Sequence, residues 1–405
     1  MTHDHEHDSG FDAHMMDVAL KMAHRGLGRA WPNPSVGALI ADEASQQIIA
    51  RGFTGTGGRP HAEIQALKAA GKQARGKTLY VTLEPCSHFG KTPPCVEAII
   101  KAGISRVVVA GGDPDPRVAG RGLSTLKKAG VKVTTGLRHK EAHHVTLGHI
   151  LRVTERRPFT QLKLALDAVG KIARGDGENP VWVTGPVARA FGHLMRARTD
   201  AILIGSGTLN DDDPELTCRL SGMDDRSPVR VIICDRQNMR KQSKLFKSAI
   251  QSPVWLACGL RGTDSGDKNP NPGSLATNEP SVEKQPRGQE GGLGTQVIEV
   301  PVVAGRLWLP ALLESLVERG ITRLMVEGGP TLWRAFAKAG LVDEVVAFIA
   351  NRALQQSGSG ITKKPVEMSD QQAMALMKAH LPGLRLSLTD KRSLGNDRLL
   401  RFHVK

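Results

Sequence analysis

The chain has 405 residues, of which 40% are hydrophobic and 23% charged, and this length exceeds what one hydrophobic core usually supports. No run approaches the roughly 18 consecutive apolar residues of a membrane helix, and no secretory signal pattern precedes the first predicted helix. The net charge of +15 would suit nucleic acid or phosphorylated substrates, but the basic residues are spread along the chain and only 4% of residues are aromatic. We therefore expect a two-domain cytoplasmic protein that binds neither a membrane nor a nucleic acid.

The first 150 residues alternate helical patterns with short β-rich runs. Residues 1–10 pair His with acidic residues without an apolar period, which predicts a disordered tail. The predicted helices are 15–26, 62–71, 96–103 and 123–130, and the predicted strands are 35–41, 78–83, 106–111 and 131–136. This order predicts an α/β domain over residues 11–150 with a largely parallel sheet.

The same alternation resumes in the second half, after a basic, proline-containing stretch at 151–159 that we interpret as a linker. The predicted strands are 159–166, 200–206, 229–235, 253–259, 295–301, 323–329 and 344–350, and the predicted helices are 187–198, 309–320 and 331–340. A second α/β domain therefore spans 151–405. Residues 261–294 are rich in Gly, Pro and Asn without periodicity, which predicts a disordered insertion.

Five cysteines in a chain this long do not indicate a disulfide framework. They are Cys86, Cys95, Cys218, Cys234 and Cys258. An odd number in a reducing compartment suits metal binding or burial better than pairing.

Two of these cysteines belong to a candidate zinc site. His61, Cys86 and Cys95 supply the three ligands that a catalytic zinc needs, which leaves a fourth position for water. The strand at 78–83 should deliver Cys86 to the carboxyl edge of the sheet. Glu63 follows His61 by two residues and suits a proton carrier better than a ligand. The alternative is that the cysteines and the histidine are buried independently.

The motifs around this site resemble those of a known enzyme family. The stretches "PNPSVGALI" (32–40), "HAE" (61–63), "TLEPCSHFGKTPPC" (82–95) and "DPDPRVAGRG" (113–122) are similar to the deaminase half of bifunctional riboflavin-biosynthesis deaminase/reductases. The resemblance implies a cytidine-deaminase-like fold, with zinc (Zn2+) on His61, Cys86 and Cys95 and with Glu63 as proton shuttle. It also implies a set of substrate-contacting residues: Asn33, His88, Lys91, Asp113 and Asp115. Asp115 stands where the family more often has Asn.

The second half resembles the reductase half of the same family. The similar stretches are "KLALDAVGKIA" (163–173), residues 181–219 and "LMVEGGPTLWRAF" (324–336). The resemblance implies a dihydrofolate-reductase-like fold that binds NADPH without a G-x-G-x-x-G fingerprint. The implied cofactor-binding residues are Trp182, Thr208, Asp212, Gly329, Pro330, Thr331, Leu332, Trp333, Arg334 and Ala335. The implied substrate-binding residues are Arg196, Leu216, Arg219 and Glu327.

Two glycine-containing stretches fit this interpretation physically. The pair at 328–329 joins a predicted strand to a predicted helix, where backbone N–H groups and the helix dipole can hold a phosphate. The stretch "GSGTLNDDDP" (205–214) is predicted to be an unusual loop without a packing role. Two positions depart from the family: Val169 replaces a usual Asp, and Pro180 stands near a usual Ser.

The predicted function is therefore a two-step conversion of a small phosphorylated pyrimidine. Zinc-dependent deamination releases ammonia, and NADPH then reduces the ribosyl group to a ribityl chain, with Asp212 as a candidate for polarising the ribose or its imine. The family resemblance also suggests a homo-oligomer. Two alternatives stay open, namely a polynucleotide deaminase and a deaminase whose reductase-like domain is inactive or merely a scaffold.

Overall fold

The structure is a computed structural model that describes residues 10–90, 92–173, 182–234, 242–260, 294–353 and 368–405. The predictions for Lys91, Pro180 and nearly all of the tail and of the 261–294 insertion lie outside these residues. The chain divides into two compact units, one comprising residues up to 159 with 319–322 and the other comprising 160–318 with 323–405. Within the described ranges, no helix combines the length and the apolar character needed to cross a membrane.

The first unit is built on a five-stranded sheet in the order β2-β1-β3-β4-β5. Its strands are β1 (Gly37–Asp42), β2 (Gln47–Phe53), β3 (Thr78–Val81), β4 (Arg106–Val109) and β5 (Lys132–Thr135). β3, β4 and β5 are parallel, but β1 runs antiparallel to both β2 and β3. The prediction of a largely parallel sheet was therefore wrong, because the unpredicted β2 forms a hairpin with β1 and makes the sheet mixed.

Helices cover both faces of this sheet. They are α1 (Gly10–Gly26), α2 (Ala62–Ala70), α3 (Cys95–Ala102), α4 (Arg121–Lys128) and α5 (His139–Thr154). Alternate residues of a strand face opposite sides, so Leu79 packs into the cluster with α2, α3 and α4, while Tyr80 packs into the cluster with α1 and α5. The result is a three-layer α/β/α sandwich.

Helix α5 was not predicted, and it changes the interpretation of the linker. Its buried side includes Thr146 and Gly148 beside Ala142, Val145 and Leu151, so the apolar period is weak in the sequence. The helix extends through the predicted domain boundary at 150/151 and through half of the supposed linker. Only residues 155–158 separate α5 from the next strand.

The second unit contains a nine-stranded sheet in the order β10-β9-β8-β7-β13-β6-β14-β16-β15 and a small two-stranded sheet, β11-β12. Its strands are β6 (Phe159–Leu166), β7 (Ala201–Gly205), β8 (Val229–Ile233), β9 (Val254–Gly259), β10 (Thr295–Val300), β11 (Val302–Val303), β12 (Arg306–Leu307), β13 (Arg323–Val326), β14 (Glu344–Ile349), β15 (Leu386–Leu394) and β16 (Asp397–Val404). Its helices are α6 (Pro186–Arg196), α7 (Ser206–Asp212), α8 (Lys244–Lys247), α9 (Leu309–Glu318), α10 (Pro330–Lys338) and α11 (Asp370–His380).

The parallel part of this sheet places several loops at one edge. β13, β7, β8, β9 and β10 pair in parallel along the sheet, so their carboxyl ends meet on the same side. The "GSGTLNDDDP" stretch follows β7 there, but it forms helix α7 rather than the predicted loop. Leu209 of α7 is fully buried in the core, so the stretch does have a packing role.

Candidate functional sites

The three predicted zinc donors lie together in the first unit. His61 is the N-cap of α2, Cys95 is the first residue of α3, and Cys86 follows β3 in the connecting loop. The Nδ1 atom of His61 lies 3.6 Å from Sγ of Cys86 and 3.3 Å from Sγ of Cys95, and all three donor atoms lie within 4.8 Å of one another. Two helix starts and one strand end thus converge on one point.

This donor set fits a tetrahedral zinc ion. With Zn–S near 2.3 Å and Zn–N near 2.0–2.1 Å, tetrahedral angles separate a sulfur and a nitrogen donor by about 3.6 Å, which agrees with the two observed distances. The hydrogen bond from Cys95 lowers the pKa of Cys86 to about 4 against the opposing effect of burial, while the pKa of Cys95 is raised. One thiolate is therefore favoured, and the hydrogen bond with Cys86 raises the pKa of His61, so a bound cation competes with protons at these donors.

Glu63 lies on the first turn of α2, two residues after the predicted zinc donor His61. Its side chain is only 4% exposed. Burial, followed by the negative charge of Cys86, raises the pKa of Glu63 above its usual value. A carboxyl group with a raised pKa beside a metal site can both accept and release a proton near neutral pH.

A second buried carboxylate supports the ligand loop. Glu84, two residues before Cys86, accepts backbone N–H groups from Gly120 at 3.0 Å and from Gly122 at 3.0 Å. The start of α4 is thereby joined to the end of β3. A Cβ added at Gly122 would lie 2.3 Å from the Pro85 carbonyl oxygen, so only glycine permits this approach.

The residues implied for the pyrimidine substrate lie on loops next to these elements. Asn33 donates to the Gly58 carbonyl at 2.9 Å, in the loop that leads to His61. His88 is half-buried, and its Nδ1 atom has no hydrogen-bond partner among the described residues. Lys91, the residue implied for the phosphate, lies outside the described ranges.

Asp113 and Asp115 are already paired within the protein. Asp113 lies 3.0 Å from Nε2 of His149, and Asp115 forms a two-pronged pair with Arg117 whose shortest distance is 2.5 Å. The Arg117 hydrogen bonds, working against burial, lower the pKa of Asp115 to about 2. The carboxylate that replaces the usual amide is thus charged and neutralised by its neighbour.

Helix α5 adds two side chains that the sequence did not single out. His149 contacts Asp113, and Arg152 donates to the Pro32 carbonyl, one residue before Asn33. Burial, followed by the charge of Arg117, lowers the pKa of Arg152. Their spacing of three residues on one helix face was the available signal, but it carries meaning only once α5 itself is known.

The second unit has a large cavity at the carboxyl edge of its parallel strands. Its volume is about 1320 Å³, which exceeds the 300–1,000 Å³ typical of a drug-sized ligand, and so has room for a dinucleotide with a substrate. Nine of the ten residues implied for the cofactor line it: Trp182, Thr208, Asp212, Gly329, Pro330, Thr331, Leu332, Trp333 and Ala335. Arg334 does not, because it lies on the exposed side of α10, away from the cavity.

The cavity wall suits a phosphate-containing cofactor. An added Cβ at Gly205, Gly207 or Gly329 would meet nothing within 4 Å, so the backbone at these positions is open to a ligand. Gly329 directly precedes α10, whose first turn can hold a phosphate. The indole N–H of Trp333 is buried without a hydrogen-bond partner in the described part of the chain, which leaves a polar atom that a ligand can satisfy.

The four residues implied for the reductase substrate also line this cavity: Arg196, Leu216, Arg219 and Glu327. Glu327 accepts from Arg196 and from Lys163, the latter at 2.7 Å. Burial disfavours the charged carboxylate, but the charges of Arg196 and Lys163 outweigh it and lower the pKa of Glu327 to about 2. Lys163 was not predicted, and its signal was a lysine between two buried leucines of β6.

The loop after α7 is held in an unusual conformation. Asp213 and Leu216 have positive φ angles of 40° and 58°, which non-glycine residues rarely adopt. Burial of Leu216 in the core and an Asp213 bond to the Lys244 N–H hold the loop. Arg219 follows on this loop and pairs with Glu215 at 2.5 Å.

Comparison with known proteins bears on both units. Residues 9–111 match the cytidine and deoxycytidylate deaminase zinc-binding region, and residues 158–397 match the RibD C-terminal domain. The riboflavin biosynthesis protein RibD of Escherichia coli is 37% identical over 367 residues, which cover 87% of this chain and 91% of that protein. The chain belongs to the RibD family.

Solved RibD structures share this fold over nearly the whole chain. Acinetobacter baumannii RibD, form 1, is 33% identical with a TM-score of 0.74, and the match covers 98% of this chain and 99% of that one. A deaminase/reductase from Thermotoga maritima is 29% identical with a TM-score of 0.73, covering 98% and 100%. The predicted two-domain α/β architecture is confirmed. The chain is a bifunctional deaminase/reductase of riboflavin biosynthesis whose cofactors are zinc and NADPH.

The turn that contains Val169, where the chain departs from the RibD pattern, keeps its hydrogen bonds. The Asp167 carboxylate accepts the backbone N–H groups of Val169 at 2.9 Å and of Lys171 at 2.7 Å. Gly170 has a φ of +83°, and an added Cβ would lie 2.5 Å from Leu376 of α11. The turn is therefore specified by Asp167 and Gly170, while the Val169 side chain is 51% exposed.

Proposed function

We propose that the deaminase half converts diaminohydroxyphosphoribosylaminopyrimidine, the substrate named for the Thermotoga maritima enzyme, into 5-amino-6-(5-phosphoribosylamino)uracil. The observation that carries this proposal is the convergence of His61, Cys86 and Cys95 beside the buried carboxyl of Glu63. His61, Cys86 and Cys95 would hold the zinc. When bound, zinc lowers the pKa of a water molecule and so supplies a nucleophile at neutral pH.

Glu63 then moves the proton. The attacking water forms a bond to the amino-bearing carbon of the pyrimidine and gives its proton to Glu63. Glu63 delivers this proton to the amino nitrogen, the carbon–nitrogen bond breaks, and ammonia leaves. The raised pKa of Glu63 suits both halves of this transfer. Asn33, His88, Lys91, Asp113 and Asp115 are the proposed substrate contacts, of which Lys91 would meet the phosphate.

We propose that the reductase half acts on the product of the first reaction. When bound, NADPH would supply a hydride to the C1′ carbon of the ribosylamino group in its open imine form, and the imine nitrogen would take up a proton from solvent. The proposed cofactor residues are those nine that line the cavity together with Arg334, for which exposure leaves only a peripheral role. Lys163 and Arg196 surround Glu327 and fix its carboxylate, and Arg219 offers a guanidinium fork to the substrate phosphate.

Three further proposals concern the setting of these reactions. We infer that the substrate is a free small molecule rather than a polynucleotide, because stacking platforms need aromatic side chains and the chain has one tyrosine and nine phenylalanines. We also propose a cytoplasmic location and a homo-oligomeric state, both of which rest on the family resemblance.

A coupled assay tests both halves separately. The purified zinc-loaded protein is given the diaminopyrimidine substrate and NADPH, and ammonia and NADPH loss are followed independently. Glu63→Gln should reduce ammonia release by about 10²–10⁴-fold while zinc content and reduction of supplied aminouracil persist. Glu97→Gln, an exposed acid on α3, is the matched control and should release ammonia normally.

Two results would contradict the proposal. Ammonia release that survives Glu63→Gln would remove the assigned proton carrier. Deaminated substrate that consumes no NADPH would instead favour the alternative in which the second unit is an inactive scaffold.

A further inference from the structure

Two cysteines of the second unit face each other across neighbouring strands. β8 and β9 pair in parallel with Ile233 opposite Ala257, so the next residues, Cys234 and Cys258, are opposite as well. The Cys234 N–H donates to the Ala257 carbonyl at 2.9 Å, which carries the pairing one residue past β8. The two Sγ atoms are 2.6 Å apart.

This arrangement permits a covalent bond without movement of the backbone. Neighbouring strands lie about 4.8 Å apart, within the 4.4–6.8 Å range of Cα separations found in disulfides. Opposite residues of paired strands project from the same face of the sheet, and the measured sulfur separation shows that these two side chains point toward one another.

The two thiols differ in their access to small molecules. Cys234 is half-buried and lines the large cavity, as do Ile233 and Gly259. Cys258 is only 2% exposed and does not line the cavity. A reagent that enters the cavity therefore meets Cys234 first, and Cys258 lies directly behind it.

We propose that Cys234 and Cys258 are a reversible dithiol/disulfide pair at the cavity wall that exchanges with low-molecular-weight disulfides such as oxidised glutathione. The Cys234 thiolate attacks one sulfur of the small disulfide, forming a mixed disulfide and releasing one small thiol. The Cys258 thiolate then attacks the Cys234 sulfur and expels the second small thiol. Two protein thiols are oxidised to one disulfide, one small disulfide is reduced to two thiols, and the two protons pass to those thiols.

One consequence rests on the proposed function of the cavity. If the cavity binds NADPH, the cofactor covers Cys234 and protects it from exchange. At an NADPH concentration about ten times its Kd, only about one-eleventh of the protein is unliganded, so the exchange rate should fall roughly tenfold.

The test uses the full-length, zinc-loaded chain in glutathione buffers of increasing oxidation. Free thiols are alkylated, and peptides are then identified by mass spectrometry. The expected result is a Cys234–Cys258 disulfide with a mass loss of two hydrogen atoms per chain, reversed by dithiothreitol. Cys258→Ser should instead accumulate one glutathione on Cys234, whereas the control Cys218→Ser, a buried cysteine of the same unit, should form the disulfide normally.

Two outcomes would overturn the pairing: both thiols staying alkylatable in fully oxidised glutathione, or a stable glutathione adduct on Cys234 in the unsubstituted chain. A disulfide that forms equally fast with and without NADPH would leave the pair intact but contradict occupation of this wall by the cofactor. The two ideas therefore fail in different ways.

Discussion

Arg196 donates two parallel hydrogen bonds to the Glu327 carboxylate, from Nη2 to Oε1 at 2.9 Å and from Nε to Oε2 at 3.2 Å. Lys163, on β6, donates a further hydrogen bond to the same carboxylate. The side chains of all three residues are at most 19% exposed, so one carboxylate neutralises two cations that are largely removed from water. Glu327 therefore holds two cations of the cavity wall in place, and its substitution should disturb both.

Glu327→Gln should impair the reductase and spare the deaminase. The amide preserves the shape of the carboxylate but removes its charge, so Lys163 and Arg196 lose their shared counter-ion and move. Misplacement by about 1 Å commonly costs roughly 10²-fold in rate, which is the loss expected for NADPH oxidation. Asp390→Asn, which removes an exposed ion pair with Arg392 on β15, should leave both reactions unchanged. Full NADPH oxidation in Glu327→Gln would show that the carboxylate does not organise the cavity.

The same carboxylate should make the second unit sensitive to acid. Its pKa is lowered from 4.5 to about 2, so the folded state favours the charged form. The resulting stabilisation is fully present above pH 4.5 and disappears as the pH falls through about 2; the shift corresponds to about 3 kcal/mol.

Urea unfolding at several pH values measures this effect. Tryptophan fluorescence reports mainly on the second unit, which holds Trp182, Trp255, Trp308 and Trp333. The difference in unfolding free energy between the unsubstituted chain and Glu327→Gln should be largest near neutral pH and should shrink steadily below about pH 4.5. A difference independent of pH would mean that the lost stability is steric rather than electrostatic.

Glu84→Gln should weaken zinc binding although Glu84 is not a ligand. The Glu84 carboxylate accepts hydrogen bonds from the start of α4 and lies two residues before Cys86. The substitution should therefore weaken the support of the loop that carries Cys86. Residues that orient metal ligands typically contribute 10–100-fold to metal affinity, and we expect a loss in that range in competition with a chelator. Glu97→Gln, which alters an exposed acid two residues after Cys95, is the control and should retain its zinc. Equal zinc affinities for the two variants would rule out the supporting role of Glu84.

The convergence of the three predicted zinc donors could be predicted from the sequence, whereas much of their surroundings could not. Each of the three donors lies at the end of a helix or strand with a clear apolar pattern: His61 at α2, Cys86 after β3 and Cys95 at α3. Both their chemistry and their convergence at one sheet edge could therefore be predicted. Helix α5 was missed because its buried face mixes Thr146 and Gly148 with apolar residues, and the contributions of His149 and Arg152 were missed with it.

The second unit shows a different limit. Its central strands were predicted because they are almost wholly buried and apolar. β15 and β16 were not predicted, since β15 has only one buried residue in nine and both strands carry charges. Lys163 was missed for a related reason. The alternation along β6 shows that Lys163 faces away from the buried leucines, but it does not show that the Glu327 carboxylate lies there. Such partners come from strands distant in sequence, as Glu327 does, and only the fold brings them together.

Asp115→Asn should strengthen substrate binding in the deaminase without a large effect on stability. The ion pair that it removes is worth at most about 1 kcal/mol, because the Arg117 side chain is 71% exposed. The substitution deletes a negative charge and releases Arg117 beside a proposed binding site for a phosphorylated substrate. KM should therefore fall severalfold at low ionic strength, with kcat nearly constant, and the gain should fade as salt screens the charges.

The control for this prediction is Asp42→Asn, which removes another aspartate–cation pair, with Lys77, from the same unit. Asp42 ends β1, and β1 runs antiparallel to β3, so Asp42 lies at the sheet edge opposite the one that carries Cys86. Its loss should leave the KM for the deaminase substrate and its salt dependence unchanged. If Asp115→Asn behaved in the same way, neither Asp115 nor the released Arg117 would contact the substrate, and recognition of the phosphate would depend on other residues.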